Sequence, residues 1–228
     1  IIPENWVRFF RNQATDVEPR LSAAPTFDFA QRYLACTYVS DKLEQVAFGH
    51  ELLSARGAFD PKGPEAERYI AGSLKDVTMH EVGHALGLRH NFRASIGVTP
   101  QQLRDPAFTA TRGVSNSVMD YNALNMPLRG ETVADYHMPT LGTYDYWAIE
   151  YGYREFDAAD EKAALARLAT QSEKDPALAY GTDEDAFGTD PQINHRDLGS
   201  DPLAFARREI KLARELWTLT QARELPAD

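Results

Sequence analysis

Four residues in one short run have the types and spacing for metal-assisted hydrolysis: His80, Glu81, His84 and His90, in His80-Glu81-Val82-Gly83-His84-Ala85-Leu86-Gly87-Leu88-Arg89-His90. On a helix, residues four apart are rotated by about 400°, so His80 and His84 project from one face and can share a metal ion. Glu81 is rotated about 100° from His80, which sets it beside the ion, where a general base is needed. Gly87 lets the chain turn sharply, so that His90 can return as a third ligand. Three histidines around zinc leave one position open, as catalytic sites require, and a water held there has its pKa lowered to about 7. Glu81 would take that water's proton as it attacks a zinc-polarised carbonyl, then pass it to the leaving amine.

A His-Glu-x-x-His match alone can be a helix with incidental histidines, but the third His and the Gly raise its specificity. His50-Glu51 begins the same way, yet Ser54 stands where the second His is needed, so His50 reads as a hydrogen-bonded core residue. His137 and His195 lie near acidic residues, and either could support a metal ligand from behind. The run Asp183-Glu184-Asp185, with Asp190 beyond it, offers carboxylates to calcium but breaks the EF-hand pattern at Phe187, so a solvated acidic loop is the simpler expectation.

The elements that must hold these residues are mostly helical. Val39, Leu43, Val46 and Leu53 share a helical face between Ser40 and Gly57, with Ser40 or Asp41 as cap. After the turn Asp60-Pro61-Lys62-Gly63, Pro64 and the acids Glu65 and Glu67 suit a first helical turn, and Ile70, Leu74 and Val77 carry that helix, over about 64–86, into the histidines. Thr99-Pro100 marks a short helical turn, and residues 113–125 read as loop. Helices are expected over 143–152, over 157–172 and from Asp201-Pro202 onward, the last with Leu203, Ala206, Ile210, Ala213 and Trp217 on one side. Tyr144, Tyr146, Trp147, Tyr151 and Tyr153 form an aromatic stretch expected to pack a core. Residues 1–152 read as the region bearing the site and 153–228 as a helical extension packed on it.

Composition narrows the partners. A formal charge of -10 over 228 residues, with no basic cluster, argues against nucleic acid. No apolar run approaches the length of about 18 residues needed to span a membrane. The single Cys36 excludes a disulfide within the chain and a cysteine-rich zinc module. The start Ile1-Ile2-Pro3, without initiator Met or signal-peptide regions, reads as part of a longer polypeptide.

The run His80 to His90, followed by Ser117-Val118-Met119-Asp120-Tyr121, resembles the metzincin clan of zinc peptidases, in which a Met-containing turn lies beneath a three-His site. Leu74-Lys75-Asp76-Val77-Thr78-Met79, Arg89-His90-Asn91-Phe92 and Leu141-Gly142-Thr143-Tyr144-Asp145-Tyr146-Trp147 are similar to a bacterial metzincin-like family of large secreted or envelope proteins. The resemblance implies Met119 as the residue of the Met-turn, Tyr121 as a hydroxyl near the metal that can stabilise an oxyanion, a peptide or protein substrate, and an extracellular, periplasmic or envelope location. It also implies a twisted N-terminal sheet, of which only Ile1 to Phe10 could supply a strand. The expected fold is therefore mainly α, a fragment of an α+β zincin-like domain whose sheet lies largely outside this chain. Two functions follow: zinc-dependent peptide-bond hydrolysis, or a zinc-containing binding module or inactive fragment that keeps the site without turnover.

Overall fold

Helix α1 runs over Tyr38–Ala55 in the computed structural model, which describes residues 36–222. It ends where Gly57 takes a left-handed φ of 70°, as its lack of a side chain permits. The backbone cap is Thr37 rather than Ser40 or Asp41. Helix α2, Pro64–Ala85, starts on Pro64 with Glu65 and Glu67 in its first turn and is closed by Gly87 at φ 83°. Its most buried stripe is Ala66, Tyr69, Ser73, Asp76, Val77, His80 and Gly83, more polar than the apolar set read from sequence, of which only Val77 is buried. Paired polar groups occupy the middle of that stripe, which is why apolar spacing locates it imperfectly.

After α2 come the 3-10 turns Ala94–Gly97 and Gln102–Arg104, the second stabilised through Thr99. Helix α3, Pro106–Arg112, follows on an Asp105 cap and was not singled out by the sequence pattern. Residues 113–127 are irregular, as expected for a loop, but every one of them is buried. Buried irregular backbone must find hydrogen-bond partners. Side chains supply them here: Asn122 donates to the Ser117 carbonyl, Asn125 to the Leu103 and Asp135 carbonyls, and Asp145 receives the Val118 amide.

Helices α4 (Thr143–Tyr153), α5 (Glu161–Gln171) and α6 (Pro202–Gln221) complete the described residues, with short 3-10 turns at Pro176–Leu178 and Asp185–Phe187. No strand forms among the described residues, so the fold there is mainly α. The strand suggested for residues 1–10 lies outside them. Helix α1 packs between α2 and α6, and α4 packs on α5. One apolar core gathers Val98, Leu103, Val114, Val118, Met119, Met138, Leu198 and Phe205, and a second joins α1, α2 and α6 through Val46, Leu53, Tyr69, Leu124, Met126 and Leu212.

Two expectations need correction. Leu203, Ala206, Ile210, Ala213 and Trp217 do share a side of α6, but it is the exposed one, with Trp217 67% accessible. The inner side carries Phe205, Arg208, Leu212 and Glu215: Arg208 forks onto Glu131, and Glu215 accepts both Arg56 and Arg129. Charged residues that face inward with partners hide an inner face from any apolar pattern. Among the aromatics, Tyr144 is buried and Trp147 half-buried with its indole N–H on the Leu168 carbonyl, whereas Tyr146, Tyr151 and Tyr153 are exposed. Tyr153 instead donates to the Leu86 carbonyl at 2.9 Å, satisfying an acceptor at the end of α2.

Candidate metal centre

Helix α2 presents His80 and His84 one turn apart, and the turn at Gly87 brings back His90, so the three rings stand 4.6 to 5.4 Å apart between centroids. What orients them lies behind. His80 Nδ1 faces the Val118 carbonyl at 2.7 Å, His84 Nδ1 the Leu88 carbonyl at 2.9 Å, and His90 Nδ1 a carboxylate oxygen of Asp183 at 2.7 Å. Each of these oxygens only accepts, so each Nδ1 carries the proton and each Nε2 presents a lone pair. The lone pairs converge: His84 Nε2 and His90 Nε2 are 3.0 Å apart. Two bare acceptors at that distance repel unless a cation stands between them.

The sulfur of Cys36 completes the group. Its Sγ lies 3.4 Å from His80 Nε2 and 3.7 Å from the Glu81 carboxylate, and one donor atom from each of Cys36, His80, His84 and His90 lies within 4.8 Å of all the others. Nitrogen and sulfur bound tetrahedrally to zinc stand about 3.5 Å apart, so the donor set fits that ion in chemistry and in size. From sequence, Cys36 excludes a disulfide and a cysteine-rich zinc module but does not stand out as a member of this group. Nothing in its sequence spacing, 44 residues before His80, marks it as a neighbour.

Burial favours the neutral, ligating form of the histidines and opposes ionisation of the Cys36 thiol. His80 is fully buried, which, reinforced by His84, His90 and Lys42, pushes its pKa down to about 3 against the opposing bond to Val118. Burial also lowers His90, although Asp183 opposes it. Burial works against the Asp183 carboxylate too, but the His90 hydrogen bond and charge hold it below its ordinary range. The Cys36 thiol is raised, first by burial.

The floor of the site is Met119, fully buried, with its thioether against α2. A Cβ on Gly83 would stand 2.2 Å from the Met119 sulfur, so only glycine allows this contact. The turn is held by Asp145 of α4, which accepts from the Ser117 hydroxyl, the Val118 amide and the Gly142 amide at 2.6 to 2.9 Å. Tyr121 lies at the site, its ring 4.9 Å from that of His90, and its hydroxyl accepts the Thr37 amide at 2.8 Å.

Neither His137 nor His195 supports a ligand. His195 packs on Phe92 at 4.0 Å, and His137 lies tilted against Tyr69 at 4.8 Å beside Gly72, two turns before His80. His50 packs near Phe59, but its buried Nε2 finds no hydrogen-bond partner, so it is a packed rather than a hydrogen-bonded core residue. The supporting acid for His90 is Asp183, from the loop read as a solvated run. Asn91 places that loop: its side chain donates to the Ala179 carbonyl and accepts the Gly181 amide, while the Phe92 amide donates to the Gly181 carbonyl. The remaining acids there diverge, Glu184 onto Arg89, Asp190 onto Arg93 and Asp185 onto the Thr182 amide, and form no calcium cage among the described residues.

Two measurements follow. Removing a carboxylate that orients a ligating histidine costs about 10- to 100-fold in metal affinity, so Asp183→Ala should bind zinc that much more weakly in competition with a chelating dye. Unchanged affinity would deny Asp183 its orienting role. Burial, then Lys42, holds the His137 pKa well below 6.5, and the Tyr69 backbone offsets only part of this. The unfolded chain therefore takes up this proton first, so the stabilising effect present above about pH 6.5 is lost as pH falls below it. Between pH 7 and 5, His137→Leu should lose less thermal stability than the parent chain, and parallel losses would refute the assignment.

Met119 beneath α2 and the Val118 carbonyl on His80 place a methionine turn against a histidine metal site. A comparison with protein families matches residues 62–228, well over half the chain, to the Met-zincin family, while no curated protein and no solved structure matches. That stretch holds the three histidines, the turn, Asp145 and Asp183, and the chain belongs to the Met-zincin family.

Proposed function

We propose that the chain is a zinc-dependent peptidase in which His80, His84 and His90 hold the ion and Glu81 acts as general base and acid. The observation that carries this reading is the convergence of three Nε2 lone pairs, each fixed by an acceptor behind its ring, with an exposed carboxylate beside them. Zinc held there supplies Lewis acidity, lowering the pKa of water and polarising a carbonyl. Glu81 is within 3.7 Å of the place that Cys36 Sγ now fills, so a water in that place is within reach of its carboxylate. Glu81 accepts the proton during attack and returns it to the leaving amine. The Tyr121 hydroxyl accepts the Thr37 amide through a lone pair and keeps its own proton, which it can donate to the developing oxyanion. Its own proton is secure, because burial raises the phenol pKa.

A second reading has one observation in its favour. A site closed by Cys36 and three histidines has the four protein ligands typical of structural zinc, which would suit a binding module. A library of unstructured peptides separates the two. A peptidase should cleave members of the library, lose cleavage on zinc chelation and regain it on zinc return. Cleavage that survives complete removal of the metal would rule out the proposed chemistry.

A further inference from the structure

We infer that the outer face of α6 is a self-association surface: two copies of the chain pair through Leu203, Ile210 and Trp217 in a parallel, in-register helix pair, joined at its sides by Glu209 and Arg214. The inference is independent of the peptidase reading. Leu203, Ile210 and Trp217 recur at intervals of seven, with Ala206, Ala213 and Thr220 three residues after each, so the exposed side of the helix carries the a and d positions of a heptad repeat. The large members are open to solvent, Leu203 at 61%, Ile210 at 51% and Trp217 at 67%. A contiguous apolar row bordered by charge marks a contact surface. The small alanines at d let two helix axes approach, while the larger residues at a fill the seam.

Charge selects the partner and its direction. In this register Glu209 is a g residue, and Arg207 and Arg214 are e residues. A parallel second copy sets Glu209 of each chain against Arg214 of the other, twice over around a two-fold axis. Reversing one helix would instead set e against e and g against g, arginine facing arginine and glutamate facing glutamate. Among the described residues neither Glu209 nor Arg214 has an ion-pair partner. Burial raises the Glu209 carboxyl to about 7 with only neighbouring Arg208 opposing it, so the acid is short of counter-charge in the single chain. The opposite face of α6, with Phe205, Arg208, Leu212 and Glu215, is held by the rest of the fold, which sets the two bodies on opposite sides of the seam. That packing already forms the helix, so association is spared the nucleation cost that makes isolated helices of this length marginal.

The test uses the full chain in sedimentation equilibrium, from low to high micromolar concentration. The mass should rise from 25.5 kDa toward twice that value. Ile210→Glu, which alters an exposed position and leaves the inner face intact, should stay a single chain of unchanged helicity. Glu209→Arg should weaken association about tenfold or more by setting like charges together, and Glu209→Arg combined with Arg214→Glu should restore it. A single-chain mass at every concentration overturns the pairing and leaves the stripe to a partner of another kind. Association that survives Ile210→Glu overturns the assignment to α6. Association lost in Ile210→Glu but unmoved by Glu209→Arg, or not restored by the double reversal, overturns the parallel register.

Discussion

Glu81→Gln is expected to lower peptide cleavage by about 10²- to 10⁴-fold, the range over which a positioned acid–base group acts. Metal content should stay near that of the parent. Glutamine keeps the size of the side chain and removes its ability to take a proton, and Glu81 is exposed on α2, so folding has little reason to change. The histidines are oriented by Val118, Leu88 and Asp183, not by Glu81, which is why zinc binding should survive. The comparison is cleanest in the Cys36→Ala background, where the sulfur no longer competes for the same space, with kcat/KM and metal per chain measured together. Full cleavage by the Gln variant would remove Glu81 from the mechanism.

Lys42→Met is expected to destabilise the fold by about 3–5 kcal/mol, because it leaves a buried carboxylate without its counter-charge. Lys42 Nζ and Asp76 Oδ2 are 2.7 Å apart with both residues fully buried. Asp76 also accepts the Tyr38 hydroxyl and the Met138 amide, and Lys42 donates to the Asn122 carbonyl just after the Met-turn. One ion pair thus ties α1, α2 and the irregular segment together below the metal site. Replacing both partners, Lys42→Met with Asp76→Leu, should recover part of the loss, since a buried pair is often matched by apolar packing. Denaturant melts of the two single variants and the double supply the coupling, and a Lys42→Met variant as stable as the parent would show that the pair is dispensable.

The clustering of His80, Glu81, His84 and His90 was legible in sequence because their spacing is local: a helix fixes positions 80, 81 and 84, and a glycine turn returns position 90 within six residues of the second His. Met119 and Tyr121 were legible only through a second motif. Three contributors were not. Cys36, Asp145 and Asp183 reach the site across long chain separations, as supports or as an additional donor atom, and no periodicity reports which distant carboxylate or thiol arrives. The same limit explains α6. Its outward apolar stripe kept regular spacing, while its inner face was broken up by Arg208 and Glu215, whose partners Glu131 and Arg56 belong to other parts of the chain. Local rules found the longer helices, passed over the seven-residue α3, and failed on inner faces where a charged group is neutralised from afar.

The 93-residue separation between His90 and Asp183 also orders events during folding. Both histidines of α2 and the returning His90 emerge from synthesis long before the acid that fixes the third ring. Closing so long a loop is slow and entropically costly, so the His90 ring lacks its carboxylate until residues 179–194 dock on Asn91 and Phe92. On the zinc reading proposed above, tight metal capture is thereby coupled to completion of the C-terminal half. A chain halted before Asp183 would carry all three histidines and is expected to exchange zinc readily.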